Sequence, residues 1–204
     1  EKDIDVFHIN RGGDVTFHGP GQLTGYPIID LEFFSSDLKV YMRMLEEVMI
    51  LTIANYGIDG YRIADATGVW VNSKIDKQPK KIAAFGVKTS RWITMHGFAL
   101  NVDVDLHYFN YINPCGFTDK GVTSIKNETE NEVDINEVKR VLLDNFALVF
   151  EADLVNQNKQ EISNVDKRNQ LQEYPFTFKI TKDSKLIIYR NNKQIKILPE
   201  KQAV

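Results

Sequence analysis

The chain has 204 residues and one cysteine, so it can form no internal disulfide, and a lone thiol suits a reducing compartment. It lacks a run of about eighteen apolar residues, which excludes a helical membrane span. An excess of basic residues is also missing. Lys and Arg number 25 against 28 Asp and Glu, a net charge of −3, which argues against a nucleic-acid binder of the usual basic kind. A local basic patch for a polyanion stays compatible with that balance. The opening stretch, EKDIDVFHIN, has neither an initiating Met nor a signal-peptide pattern, and we expect natural sequence ahead of it. What is present is enough apolar material for a sizeable core, 43% of residues, in a length that suits one domain or a domain with an appendage.

Hydrophobic periodicity predicts two helices. Leu38, Tyr41, Met42, Leu45, Val48, Met49, Thr52, Ile53 and Tyr56 recur at helical spacing, with Ser36 or Asp37 as cap and Gly57 as stop. Lys39, Arg43, Glu46 and Glu47 are assigned to the opposite, solvated face. A second helix is expected from about Asp134 to Phe150, with Asp134 and Glu137 as a capping box. Strands are predicted at Val6–Asn10, Tyr26–Leu31 and Gly68–Val71. A hairpin is predicted from Lys81–Lys88 and Trp92–Val102 around Thr89-Ser90-Arg91. Small residues recur in that hairpin (Ala83, Ala84, Gly86, Gly97, Ala99), leaving room for something to lie against its backbone. Residues 155–173 read as a polar linker. Phe176–Ile180, Leu186–Tyr189 and Gln194–Leu198 read as an antiparallel meander.

Few residues carry chemistry of their own. Cys115 stands in Asn113-Pro114-Cys115-Gly116, where Pro and Gly imply an exposed turn; a reactive thiol and a passive one are both open. Lys80 and Lys81 open the small-residue strand, and a desolvated lysine can shuttle a proton, although a solvated strand end is the plainer reading. Of the four histidines, His18 and His96 each precede a glycine and could orient a thiol; His8 and His107 have no such setting. No His, Cys or carboxylate spacing suggests a metal site. Arg11-Gly12-Gly13 through Gln22 is dense in glycine without matching a phosphate-loop pattern, so backbone N–H groups approaching a ligand and an irregular surface loop are both open.

RGGDVTFHGPGQLTGYPIIDL (11–31), TGVWV (67–71), KIAAFGVKTSRWITMHGFALNVDVDL (81–106) and INPCGFTDKGVTSI (112–125) together resemble the lipoyl(octanoyl) transferases, in order and spacing, across about residues 5–152. The resemblance implies the fold of the biotin and lipoate protein ligases: an α/β (α+β) domain with a mixed β-sheet flanked by helices. It implies a catalytic domain over 1–154 with its N-terminal part missing; the linker over 155–173 and the meander over 174–204 lie outside the resemblance. It implies transfer of octanoyl from acyl carrier protein to a lysine of lipoyl domains, such as those of 2-oxoacid dehydrogenases and the glycine cleavage H protein, with no cofactor.

By that likeness Cys115 carries the thioester and Lys81, rather than Lys80, is its partner. Substrate contacts fall on Arg11, Gly12, Gly13, Asp14, Val15, Thr16, Phe17 and His18, on Ala84, Phe85 and Gly86, and on Gly97, Phe98 and Ala99, with His96 in support. Small residues would then line a slot for the acyl chain, each buried methylene worth about 0.8 kcal/mol. Phe17 and Phe85 stand where the family often has Tyr and an aliphatic residue. The expected setting is a monomer in the bacterial cytoplasm, with neither nucleic acid nor membrane as partner. Acidic carrier domains would dock on basic residues such as Lys80, Lys81, Lys88 and Arg91. Three rivals remain: an ATP-dependent lipoate ligase, which would need no cysteine; a Cys-His hydrolase; and a truncated module that only docks carrier domains.

Overall fold

The structure, a computed structural model, describes residues 5–34, 36–112 and 121–156, and the backbone of three further strands at 177–180, 186–190 and 193–194. Cys115 and most of the polar stretch after 156 lie outside the described residues. The fold is α+β. In chain order the main sheet comprises β1 (Gln22–Gly25), β2 (Gly60–Ile63), β3 (Ala66–Asn72), β4 (Pro79–Ser90), β5 (Ile93–Asn101) and β6 (Gly121–Val122). Its order is β1-β5-β4-β3-β2, antiparallel throughout except that β6 pairs with β4 in parallel.

Two long helices, α1 (Leu38–Ala54) and α3 (Ile135–Phe150), pack on each other, and a short α2 (Ile125–Thr129) follows β6. Each long helix begins where its sequence says it should. The Asp37 carboxylate accepts from the backbone N–H of Lys39 and Val40, and Asp134 accepts from Asn136. The predicted stripe of α1 is the buried one: Tyr41, Leu45, Val48, Met49, Thr52 and Ile53. With Val69, Val71, Ile82 and Leu100 of the sheet and Val138, Leu142, Phe146 and Phe150 of α3, it forms one core, in which the Phe146 and Phe150 rings stack at 4.2 Å. A second, four-stranded sheet joins β7 (Asp153–Asn156), β8 (Thr177–Ile180), β9 (Leu186–Arg190) and β10 (Lys193–Gln194). Its last three strands fall in or beside the predicted runs and pair antiparallel, while β7 and β8 pair in parallel.

Four local expectations are corrected. Val6–Asn10 forms no strand; Val6 and Phe7 stand mostly in solvent, and a strand-like run without a pairing edge makes no ladder. The strand expected at Tyr26–Leu31 lies earlier, at Gln22–Gly25, where the register on β5 is regular. Pro27 has no N–H to give, and Ile29 donates to the Thr94 hydroxyl instead of a ladder carbonyl. The hairpin turns on Arg91 and Trp92, both at positive φ, so the turn has two residues. Glu46, expected in solvent, is 3% exposed because Arg43 and Arg62 both bind its carboxylate, at 2.7 and 3.0 Å.

Candidate active site

Strand β4 carries the predicted lysine into a built environment. The register between β3 and β4 slips between Val69 and Trp70, so that Val69 faces Ala83 and Trp70 faces Lys81, with Ile82 as the extra residue. A bulge of this kind re-aims the side chains beside it. The Lys81 ammonium lies 4.7 Å from the centre of the Trp70 ring, and the buried indole N–H donates to the Ala66 carbonyl, which fixes that ring. Gly68 makes room for the lysine stem: a Cβ there would stand 2.9 Å from Lys81 Cε and 3.0 Å from the Ala83 carbonyl oxygen, at a φ of +141°. The Gly68 N–H donates to buried Glu46, so a helix carboxylate holds the strand at the point where the lysine passes. Lys80, the other candidate, pairs with Asp76 at 2.7 Å on the surface.

The chain on either side of Cys115 is described. One end is Ile112, after the 3-10 turn Leu106–Tyr111. At the other, β6 brings Gly121 opposite Lys80 and Val122 opposite Lys81, and Thr123 N–H donates to the Lys81 carbonyl. Cys115 precedes Gly121 by six residues.

Most of the predicted substrate contacts converge further along β4. Gly86 faces Gly97 in register, Phe85 faces Phe98, and Ala84 faces Ala99. The turn at Arg11–Asp14 lies on this stretch. A Cβ on Gly86 would stand 2.5 Å from Arg11 Cδ, and one on Gly12 would stand 2.8 Å from the Val87 carbonyl oxygen. On the far side, a Cβ on Gly97 would overlap the Gly25 carbonyl oxygen. The close approach expected at these glycines is thus made by the chain itself. Arg11 ties its own turn, donating to the carbonyls of Gly12 and Asp14, and the Asp14 carboxylate accepts from Val15 N–H.

His96 lies within 3.1 Å of the Asn10 amide oxygen and so anchors the start of that turn. Partial burial lowers its pKa from the ordinary 6.5, and the nearby charges of Arg11 and Lys88 push the same way. Val15 is exposed and Thr16 half-buried. Phe17 stacks on Tyr108 at 4.8 Å and lines, with Pro20, Gly21, Asp103, Val104 and Asp105, a concavity of about 420 Å³. Sequence reasoning missed Gly68, Trp70 and Glu46. The motif TGVWV contained two of them, but nothing local says that glycine and tryptophan there frame a lysine ten or more residues on.

Three comparisons bear on this geometry. The family model described as "Lipoyl protein ligase A/B catalytic domain" matches residues 1–147. An octanoyltransferase of Parabacteroides distasonis is 51% identical over 150 residues, 74% of this chain and 68% of its own length. One of Bacteroides thetaiotaomicron is 50% identical over 158 residues, 78% of this chain and 67% of its own length. The chain therefore spans about two thirds of these relatives, and only 29% of a longer octanoyltransferase from Porphyromonas gingivalis, at 57% identity over 69% of this chain. Among solved structures, a bi-partite lipoate protein ligase from Thermoplasma acidophilum superposes with a TM-score of 0.53 at 18% identity, over 70% of this chain and 56% of that one. At that identity the likeness speaks for the fold alone.

Proposed function

Because the chain belongs to the lipoyl protein ligase A/B catalytic domain family, among its octanoyltransferases, we propose that it transfers octanoyl from acyl carrier protein to a lipoyl-domain lysine through a thioester on Cys115. The Cys115 thiolate attacks the carbonyl of the carrier thioester. A new carbon–sulfur bond forms, the bond to the carrier's sulfur breaks, and the carrier leaves with its thiol reprotonated. The acceptor amine then attacks the acyl-enzyme. Its nitrogen loses a proton as the amide forms, and Cys115 regains its thiolate. Lys81 is the group for both proton movements, or the counter-charge for the thiolate. Thioester to amide is downhill, so no ATP enters.

The observation that carries this reading is the return of the chain after Cys115 beside Lys81, through the pairing of Gly121–Val122 with Lys80–Lys81. The framing of Lys81 by Trp70 and Gly68, and the pairing of Lys80 with Asp76, favour Lys81 as the working amine. The assignments of substrate contacts to Arg11–His18, Ala84–Gly86 and Gly97–Ala99 enter the proposal by family likeness, and the Arg11–Gly12 turn meeting Gly86 brings the first two of these stretches together. Bacterial cytoplasm and a monomeric state complete the proposal.

Incubation with octanoyl-carrier protein followed by intact mass measurement tests it. An octanoyl adduct is expected on the natural protein and not on Cys115→Ser. No adduct on the natural protein, or transfer that requires ATP, would overturn the reading.

A further inference from the structure

A line of hydrogen bonds crosses the sheet from the loop at His18 to the strand beside Lys81. His18 Nδ1 lies 2.6 Å from Gln22 Oε1; Gln22 Nε2 donates to Asn101 Oδ1 at 2.8 Å; Asn101 Nδ2 donates to the Thr123 carbonyl at 2.9 Å. Asn101 and Thr123 are buried, and Gln22 is half-buried. Thr123 is the junction. Its N–H holds the Lys81 carbonyl, and its hydroxyl donates to buried Glu128 at 2.5 Å. Glu128 in turn accepts from the N–H of Lys74.

The direction of the line follows from its end. A backbone carbonyl only accepts, so the nitrogen of the Asn101 amide must face Thr123. Its oxygen must then face Gln22, whose nitrogen is needed there, and the Phe17 carbonyl within reach of that same nitrogen agrees. The Gln22 oxygen is left for His18, so Nδ1 must carry a hydrogen. A neutral His18 is therefore the Nδ1–H tautomer, and its Nε2 lone pair is the one acceptor the ring has left to offer.

We propose that Gln22, Asn101 and Thr123 are positioning residues. Touching no substrate themselves, they fix which nitrogen of His18 bears the proton and tie that histidine to the strand alongside Lys81. Under the function proposed above, the Nε2 lone pair they leave free is held for an N–H of the acyl donor's arm; the tautomer itself does not depend on that function.

The test labels the histidines of the full chain with 15N, above the titration range of imidazole, with His18→Asn to assign the signal. His18 is expected to show a protonated Nδ1 and a bare Nε2. In Gln22→Met, similar in length and without the amide, His18 is expected to redistribute between tautomers. The catalytic efficiency of octanoyl transfer should fall about ten- to a hundredfold, the range seen when the orienting partner of a metal-binding histidine is removed. A natural protein whose His18 carries its proton on Nε2 overturns the proposal even if the variant does not fold. So does a Gln22→Met that loses activity with its tautomer unchanged, because the role is then structural only. Absence of any octanoyl adduct on the natural protein sinks the proposed function and leaves the tautomer to decide the relay.

Discussion

Along β4, Lys80 and Lys81 run between β3 and β6, whereas Phe85–Ser90 have β5 on one edge and the Arg11–Gly12 turn closing on Gly86 and Val87. The first half is built from side chains. A bulge, an indole and a helix carboxylate place one ammonium. The second half is built from missing side chains, where Gly86 and Gly97 let two other segments come within backbone contact. One strand thus carries a charge placed by packing and, a few residues later, a surface shaped by steric exclusion. A change in the first half should act mainly on the proton chemistry, and one in the second on folding and on the shape of the substrate surface.

The largest expected effect breaks the first half directly. Lys81→Met keeps the apolar stem along Gly68 and removes the ammonium. Octanoyl transfer should fall about a hundred- to ten-thousandfold, the range for loss of a positioned acid–base group. Stability should move by about 1 kcal/mol or less, the worth of a partly exposed cation–π contact. Steady-state transfer and a thermal melt on the same preparations check both. A variant that transfers at the natural rate would remove Lys81 from the proposed chemistry.

Next in size is a pair of glycine substitutions that sharpens the contrast. Gly97→Ala drives a methyl group into the Gly25 carbonyl, between two paired backbones that cannot turn aside. It should destabilise the fold by about 1–3 kcal/mol, the cost of overpacking, while folded molecules lose less transfer than Lys81→Met does, because the ammonium stays in place. Gly68→Ala meets the Lys81 stem as well as the Ala83 carbonyl. It should therefore lower transfer per folded molecule more than Gly97→Ala does, at a similar cost in stability. Denaturant midpoints together with activity normalised to folded protein separate the two. Equal activity losses would mean that the halves of β4 are not distinct in function.

The two halves were unequally legible in the sequence. Helix α1 and helix α3 were readable because their signals are local: an Asp cap and a stripe of period 3.6. The β4–β5 hairpin and its small residues were readable for the same reason. Glu46 was not, because its burial depends on Arg62, sixteen residues away, and on the Gly68 N–H beyond that. β1 was misplaced because its pairing partner lies about seventy-five residues on, and a Gly- and Pro-rich loop hides a strand that only that partner defines. Gln22, Asn101 and Thr123 carry no signal at all in isolation, since neutral amides and hydroxyls are ordinary anywhere on a surface. The turn at Arg11–Asp14 showed an excess of glycine. The reason for that excess, backbone contact with β4, is a tertiary fact.

The smallest expected effect concerns His96, which fastens the second half to the Arg11 turn and sits at a φ of +62°. Burial, followed by the charges of Arg11 and Lys88, holds its folded pKa below the ordinary 6.5. As pH falls through 6.5 the unfolded chain takes up the proton before the folded one does, so protonation favours unfolding. Stability contributed by neutral His96 is therefore present above that pH, declines below it, and stops declining once pH is under the folded value. His96→Asn removes the titration with a residue that tolerates positive φ. Thermal midpoints measured from about pH 8 to pH 5 should show the natural protein losing more than the variant. The lost contact with Asn10 adds only an offset that does not change with pH. Parallel curves would mean that His96 is no more hindered from protonation in the folded chain than in the unfolded one. The second half of β4 would then be held by shape alone, with no electrostatic part.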